Sequence, residues 1–259
     1  MTKAGDERRS RDQSGVQETA GSSRITPHWD STKLSQTEMW RQKRRLASAM
    51  RLVIERLVPS NAPVDELRAA ADGLERYAEA LKDHPRLRDA RLYAESANAG
   101  DVGAFFDQSP LIGLANPLAP PITIGRLDDH RAHAEATFGS AYEGPPGSVH
   151  GGFIAAAFDE VLGYVQSLSG QGGMTGTLSV RYIKPTPLHT PLFFEAEMVR
   201  VEGRKIFTRA YLEAEGELRA EAEGLFISFR EGARREMHRI RDEREAKLAS
   251  SRTETEETS

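Results

Sequence analysis

Two glycines and an acid, placed on one predicted helix, are the residues of this sequence best suited to chemistry. A loop rich in Gly and Pro leads into an apolar helix that starts at Gly151 and Gly152. The N–H groups of a helix start lack partners within the helix and carry its partial positive charge, so they can hold an oxyanion. Asp159 follows on the same helix, and small side chains leave room for a large molecule beside it: Ala155, Ala156 and Gly163.

These two features cannot act on one substrate atom within a single chain. Eight residues of helix separate Gly151 from Asp159 by roughly 12 Å. A symmetric dimer that sets two such helices antiparallel would bring Gly151 of one copy near Asp159 of the other. We therefore expect a homodimer or a higher homo-oligomer. Glu160 points about 100° away from Asp159 and is the second choice for the acid.

Taken singly, these residues have more ordinary interpretations. A helical Asp is more often exposed or salt-bridged, and a Gly pair is more often a plain helix entry. The combination of a glycine helix start and a downstream acid is what favours a reaction centre.

The elements that must position this centre follow from hydrophobic periodicity. A helix is predicted over 151–169, with an apolar stripe that a sheet must cover. Alternation predicts strands on both sides of it, and Gly-containing turns join the last three as hairpins. Short links between strands demand an antiparallel sheet around the helix, an α+β domain. The predicted strands are 122–127, 131–138, 174–183, 191–201, 204–214 and 217–229.

The rest of the chain divides by composition. Residues 1–36 have almost nothing apolar to bury and are predicted to be a disordered tail. Residues 37–83 read as two amphipathic helices forming a hairpin extension, the first with a basic and solvated outer face. An irregular connector over 84–114 leads to the main domain at 115–229. The segment 230–259 is predicted to be a charged helix followed by an acidic tail.

Residues 115–229 resemble the hotdog-fold acyl-CoA thioesterases, in particular the phenylacetate-pathway-like branch. The ordered set of motifs that carries the resemblance is EGPPGSVHGG at 143–152, Asp159, GGMT at 172–175, RYIKPTP at 181–187 and VEGRK at 201–205. The resemblance implies a hotdog fold, in which an antiparallel sheet wraps a central helix. It also implies a dimer with a continuous sheet and sites shared between subunits.

The resemblance assigns roles to individual residues. The N–H of Gly151, with His150 beside it, would polarise a thioester carbonyl. Asp159 of the partner would act as general base on water or as nucleophile, and Thr175 would position the water or the carboxylate. Relatives often have an Asn in the loop before the His, where this chain has residues 142–145, Tyr-Glu-Gly-Pro.

Binding of coenzyme A is assigned to a second group of residues. Gly152 stands beside the oxyanion donor, where its lack of a side chain lets the substrate approach. Cations at strand ends or turns are candidates for the phosphates of coenzyme A, although exposed solubilising charge is an equally common role. They are Lys184, Arg204 and Lys205.

Composition excludes several classes of function. The 35 Lys and Arg against 39 Asp and Glu give a net charge of −4, which argues against a nucleic-acid binder. The absence of Cys excludes disulfides and thiolate chemistry and fits a cytoplasmic location. No apolar run reaches the length of a membrane span or of a signal peptide. His130 and His133 face opposite sides of a predicted strand, so no metal site is expected.

The sequence thus predicts an acyl-CoA thioesterase that requires no cofactor beyond the coenzyme A of its substrate. Two alternatives remain at this stage. One is a hotdog module that binds acyl-CoA without turnover, as a sensor or scaffold. The other is an enoyl-CoA hydratase, which normally pairs an Asp with a His in a different motif.

Overall fold

The computed structural model describes residues 37–84, 107–171, 173–230 and 239. Two helices come first along the chain, α1 (Glu38–Leu57) and α2 (Val64–Ala80). A third helix, α3, spans Gly151–Ser167. The strands are β1 (Thr123–Arg126), β2 (Arg131–Ala136), β3 (Gly173–Tyr182), β4 (Leu192–Glu202), β5 (Lys205–Ala214) and β6 (Glu217–Ser228).

The six strands form one antiparallel sheet around α3. Their order is β1-β2-β4-β5-β6-β3, so β1 and β3 are the two edges. Helix α3 packs against β2, β3, β4, β5 and β6. Its inner face buries Ile154, Phe158, Val161 and Val165 completely or nearly so, because the curved sheet covers an apolar stripe. The predicted sheet wrapped around a central helix is confirmed.

The predicted strands and helices agree with the observed ones to within about two residues. Turn residues account for this accuracy, since Gly203 and Gly216 both have positive φ angles at the hairpin turns between β4, β5 and β6. Other predictions lie outside the described residues. These are the tail at 1–36, the segment 85–106 of the connector, and nearly all of the C-terminal helix and tail over 230–259.

Helix α1 is oriented opposite to the expectation of a buried apolar face and a solvated basic face. Arg44 lies against the domain, where its Nε and Nη2 donate to the carboxylate of Asp107 at 2.7–3.0 Å. Arg51 Nη1 donates to the Asn116 carbonyl at 2.8 Å, and Glu55 accepts from the Ser140 N–H at 2.8 Å. Loop groups that need partners therefore attract the charged side of the helix.

Helix α2 is present as predicted, but the described part of the chain does not cover it. None of its residues is buried. The large apolar residues of both helices other than Trp40 are exposed, and the helical hairpin stays a prediction. Within the described residues, no helix is long and apolar enough to cross a membrane.

Candidate active site

The start of α3 presents one free backbone donor. His150 is the N-cap, and its Nδ1 accepts a hydrogen bond from the Gly152 N–H at 3.0 Å. The N–H groups of Phe153 and Ile154 both donate to the His150 carbonyl. Within the described part of the chain, the Gly151 N–H has no acceptor. Gly151 is therefore the helix-start amide available to a developing negative charge.

The cap also fixes the protonation of the His150 ring. Since Nδ1 accepts from an N–H, it carries no proton, and the ring proton is on Nε2. The Nε2–H is therefore the donor that the ring can offer to another group. The Gly152 N–H is already occupied by this cap, and a role for His150 beside Gly151 stays a prediction.

Tyr182 holds the Gly151 peptide in place, and its role was not predicted from the sequence. Its hydroxyl donates to the Gly151 carbonyl at 2.7 Å. A Cβ on Gly151 would stand 3.3 Å from the Tyr182 ring, which is tight. The sequence feature that could have indicated this contact is the alternation of β3, which places Tyr182 on the same side of the strand as Leu178 and Val180.

Asp159 and Thr175 meet within one chain. The Thr175 hydroxyl donates to Asp159 Oδ1 at 2.8 Å, which leaves Oδ2 for water or substrate. A β-bulge between Thr175 and Thr177 makes this contact possible. Without the bulge, strict alternation would direct Thr175 away from the helix, to the same side as Thr177. The bulge therefore builds the acidic half of the site.

The two halves of the site lie at different points of α3. The Gly151 amide with Tyr182 is at the helix start, and Asp159 with Thr175 is about two turns further on. Both tyrosine and threonine come from β3, the open edge strand. One chain therefore contains both halves of the site, but the two halves do not meet within it.

Comparison with known proteins identifies the family. The family model of the thioesterase superfamily matches residues 146–221. A crystal structure of a thioesterase superfamily protein has 34% sequence identity and a TM-score of 0.64, covering 71% of this chain and 94% of that one. This chain belongs to the thioesterase superfamily. Its sheet around α3 is accordingly the hotdog fold.

Curated relatives of this thioesterase-superfamily chain match over a shorter stretch. Acyl-coenzyme A thioesterase THEM4 of Xenopus laevis is 37% identical over 91 residues, 34% of this chain and 41% of that protein. Acyl-coenzyme A thioesterase THEM5 of Homo sapiens is 31% identical over 91 residues, 34% of this chain and 37% of that protein. The match therefore spans about two fifths of the length of these relatives.

The three cations predicted to bind coenzyme A do not form one cluster within the chain. Lys184 follows β3 and its Nζ pairs with Glu217 at 2.8 Å. Arg204 lies at the opposite end of the sheet, where its Nε donates to the Ser228 carbonyl at 2.8 Å. Lys205 is adjacent to Arg204, and its side chain has no hydrogen bond or ion pair among the described residues. Their role in phosphate binding stays a prediction.

The loop that departs from the family pattern stabilises the helix start. The Tyr142 carbonyl accepts from the His150 N–H at 2.8 Å, and its ring packs edge-on against Phe153. A Cβ at Gly144 would come within 2.8 Å of the His150 Cα, so this close approach requires glycine. The loop without Asn thus orients His150 through backbone contacts.

Glu160 is partly buried beside Asp159. Burial first, and the negative charge of Asp159 second, raise the pKa of Glu160 from 4.5 to about 7. Within the described residues its carboxylate has neither a hydrogen bond nor an ion pair. The ionised form is therefore costly in the folded chain.

We expect Glu160→Gln to change the pH dependence of stability. The folded state binds more protons than the unfolded state between pH 4.5 and about 7, so wild-type stability falls across this window. The Gln variant lacks this fall and should be more stable at about pH 8 by up to about 3 kcal/mol, with little difference near pH 4. Urea unfolding of wild type and variant at both pH values measures this difference in the free energy of unfolding. Exposed Glu213→Gln is the control, and parallel profiles for wild type and Glu160→Gln would contradict the assignment.

Proposed function

We propose that this chain hydrolyses acyl-CoA thioesters to a free acid and coenzyme A, with groups of the chain alone and no metal or redox cofactor. The observation that carries the proposal is that α3 has both a free helix-start amide, at Gly151, and an oriented carboxylate, at Asp159. Membership of the thioesterase superfamily and the acyl-CoA thioesterases among its relatives support it.

The reaction needs a second copy of the chain. Strand β3 is an open sheet edge of ten residues whose only charged side chain is Arg181. Such an edge is suited to pairing with another strand. Two β3 strands paired antiparallel about a two-fold axis between Leu178 and Ser179 place Tyr182 of one copy beside Thr175 of the other.

This pairing brings the two halves of the site together. Tyr182 contacts Gly151 and Thr175 contacts Asp159, so the free amide of one copy faces the carboxylate of the other. A symmetric dimer then has two equal sites. Lys184 of one copy also moves toward the end of the sheet where Arg204 and Lys205 of the other lie, which suits the phosphates of coenzyme A.

The chemistry follows from these positions. The Gly151 N–H and the His150 Nε2–H donate to the thioester oxygen as negative charge develops there. Asp159 removes a proton from water as it attacks the carbonyl carbon, or attacks that carbon itself and is hydrolysed afterwards. The C–O bond forms, the C–S bond breaks, and the thiolate leaves and takes up a proton. Label in Asp159 after a single turnover in ¹⁸O-water would show nucleophilic attack with water adding to the aspartyl carbonyl, since the general-base route puts the water oxygen only in the product acid.

The primary test is thiol release from short, long and aromatic acyl-CoA substrates by the purified full chain. Steady release of free thiol is expected for at least one class. Saturable binding of acyl-CoA in calorimetry, without release of thiol over hours, would instead indicate a sensor or scaffold that binds acyl-CoA without turnover. Consumption of an enoyl-CoA with its thioester intact would indicate the hydratase.

The sharing of the site between copies has a separate test by complementation. We expect inactive Asp159→Asn chains and inactive Gly151→Pro chains, mixed so that subunits exchange, to regain up to about a quarter of wild-type activity. Half of the dimers are then mixed, and one of their two sites has both Gly151 and Asp159 intact. No recovery after verified exchange would place each site within one chain.

A further inference from the structure

The outward face of α1 carries a row of uncovered apolar side chains, here named the α1 stripe. Its members lie at helical spacing and are between 37% and 53% exposed: Met39, Leu46, Met50, Val53 and Leu57. The stripe points outward because Arg44, Arg51 and Glu55 on the other side attach the helix to the domain. A contiguous apolar face on a helix fixed in this way indicates a contact surface.

Helix α2 carries a matching row, the α2 stripe, and has nothing beneath it. Its members share one side of the helix and are between 42% and 51% exposed: Leu67, Leu74, Tyr77 and, one residue past the helix end, Leu81. No residue of α2 is buried. A helix of 17 residues is marginally stable in water unless its apolar face packs against something.

The two stripes do not cover each other within one chain. The short connection between the helices contains Pro59 and Pro63, which restrict the backbone. The result is a pair of helices whose two stripes both remain exposed in the described part of the chain. A partner for each stripe therefore has to come from outside the described fold.

The charges of the two helices indicate what that partner is. Helix α1 has six Lys or Arg against two Glu, whereas α2 has two Arg against five Asp or Glu. Exposed arginines flank the α1 stripe, among them Arg45 and Arg56, while Glu66 and Glu75 are the exposed acids nearest to the α2 stripe. The helices are also similar in length, at 20 and 17 residues. Each surface complements the other in charge and in apolar character.

We propose that the α1 stripe is the docking surface for the α2 stripe of a second copy of this chain. A two-fold axis makes the exchange reciprocal, so both stripes of both copies are covered and no further copy can add. The oppositely charged flanks set the pairing of α1 with α2 and disfavour α1 with α1, because the exposed arginines that flank the α1 stripe would then face each other. The contact is independent of the chemistry at Asp159 and adds to any pairing through β3.

Cross-linking tests the contact directly, because the chain has no Cys. Met50→Cys chains and Leu74→Cys chains, distinguished by a tag and co-expressed, are treated with a short bismaleimide. Cross-linked heterodimers are expected for this pair. The matched control replaces Leu74→Cys with Arg76→Cys, on the opposite side of α2, and should give few.

Two results would overturn the proposal. The first is an absence of heterodimers above the Arg76→Cys control. The second is cross-linking that occurs only within one chain when Met50→Cys and Leu74→Cys are combined, which would mean a packed hairpin. Neither result depends on whether the protein hydrolyses acyl-CoA, so failure here and failure of the proposed function remain distinguishable.

Association strength gives an independent measurement. Leu74→Glu places a charge within the α2 stripe and should raise the dissociation constant of the dimer at least about tenfold. Arg76→Glu adds a carboxylate at the same helix but outside the stripe and should have a smaller effect. Because α2 buries no residue, neither change affects the core. Equal dissociation constants for Leu74→Glu and Arg76→Glu in analytical ultracentrifugation would contradict the proposal.

Discussion

Asp159→Asn is expected to reduce acyl-CoA hydrolysis at least about a thousandfold while the fold and the dimer persist. The amide cannot remove a proton from water and is a poor nucleophile. It has the same size as the carboxylate, and its oxygen can still accept from the Thr175 hydroxyl, as Oδ1 does at 2.8 Å in the wild type. The loss should therefore appear in kcat and leave the structure unchanged.

Thiol release under saturating substrate, with circular dichroism and ultracentrifugation, measures this effect. Glu213→Gln makes the same carboxylate-to-amide change at an exposed position of β5 and should retain full activity. If Asp159→Asn kept wild-type turnover, the acid would have no role in the reaction. Glu160→Gln would then become the variant to assay, since it removes the neighbouring carboxylate.

The oxyanion donor can be removed without deleting any side chain. Gly151→Pro eliminates one N–H, and that N–H has no acceptor within the described residues. Proline is favoured at the first position of a helix, and His150 before it already has the extended backbone that proline requires (φ −62°, ψ 131°). The variant should fold and lose about a hundred- to a thousandfold in kcat.

The matched control for this variant is Gly151→Ala. Alanine brings the same Cβ within 3.3 Å of the Tyr182 ring but keeps the N–H. The ratio of the two kcat values isolates the amide, because any cost of crowding Tyr182 is common to both variants. Equal kcat values for Gly151→Pro and Gly151→Ala would show that the amide does not stabilise the transition state.

Local periodicity was enough to predict the framework of the site. The burial of α3 follows from its apolar stripe, and the hairpins follow from alternation and glycine turns. Gly151 and Asp159 were both found from the sequence, because a glycine helix start and a carboxylate among small residues are local features. Their separation along one helix also predicted the need for a second copy.

Features that depend on distant contacts could not be predicted in this way. The sequence gives no sign that a bulge after Thr175 reverses the direction of its side chain, or that Tyr182 holds the Gly151 peptide. The direction of α1 was predicted wrongly. Its amphipathic pattern shows that two faces differ, but the buried carboxylate of Asp107 and the loop carbonyls decide which face meets the domain.

The spacing of neighbouring residues was thus enough to predict the order of the elements, the buried helix and the two candidate groups at Gly151 and Asp159. Tertiary structure alone decided how Thr175 and Tyr182 orient those groups and which side of α1 stays exposed. The physical reason is that a buried polar group must be satisfied wherever the fold places it, and that demand outweighs local amphipathic pattern.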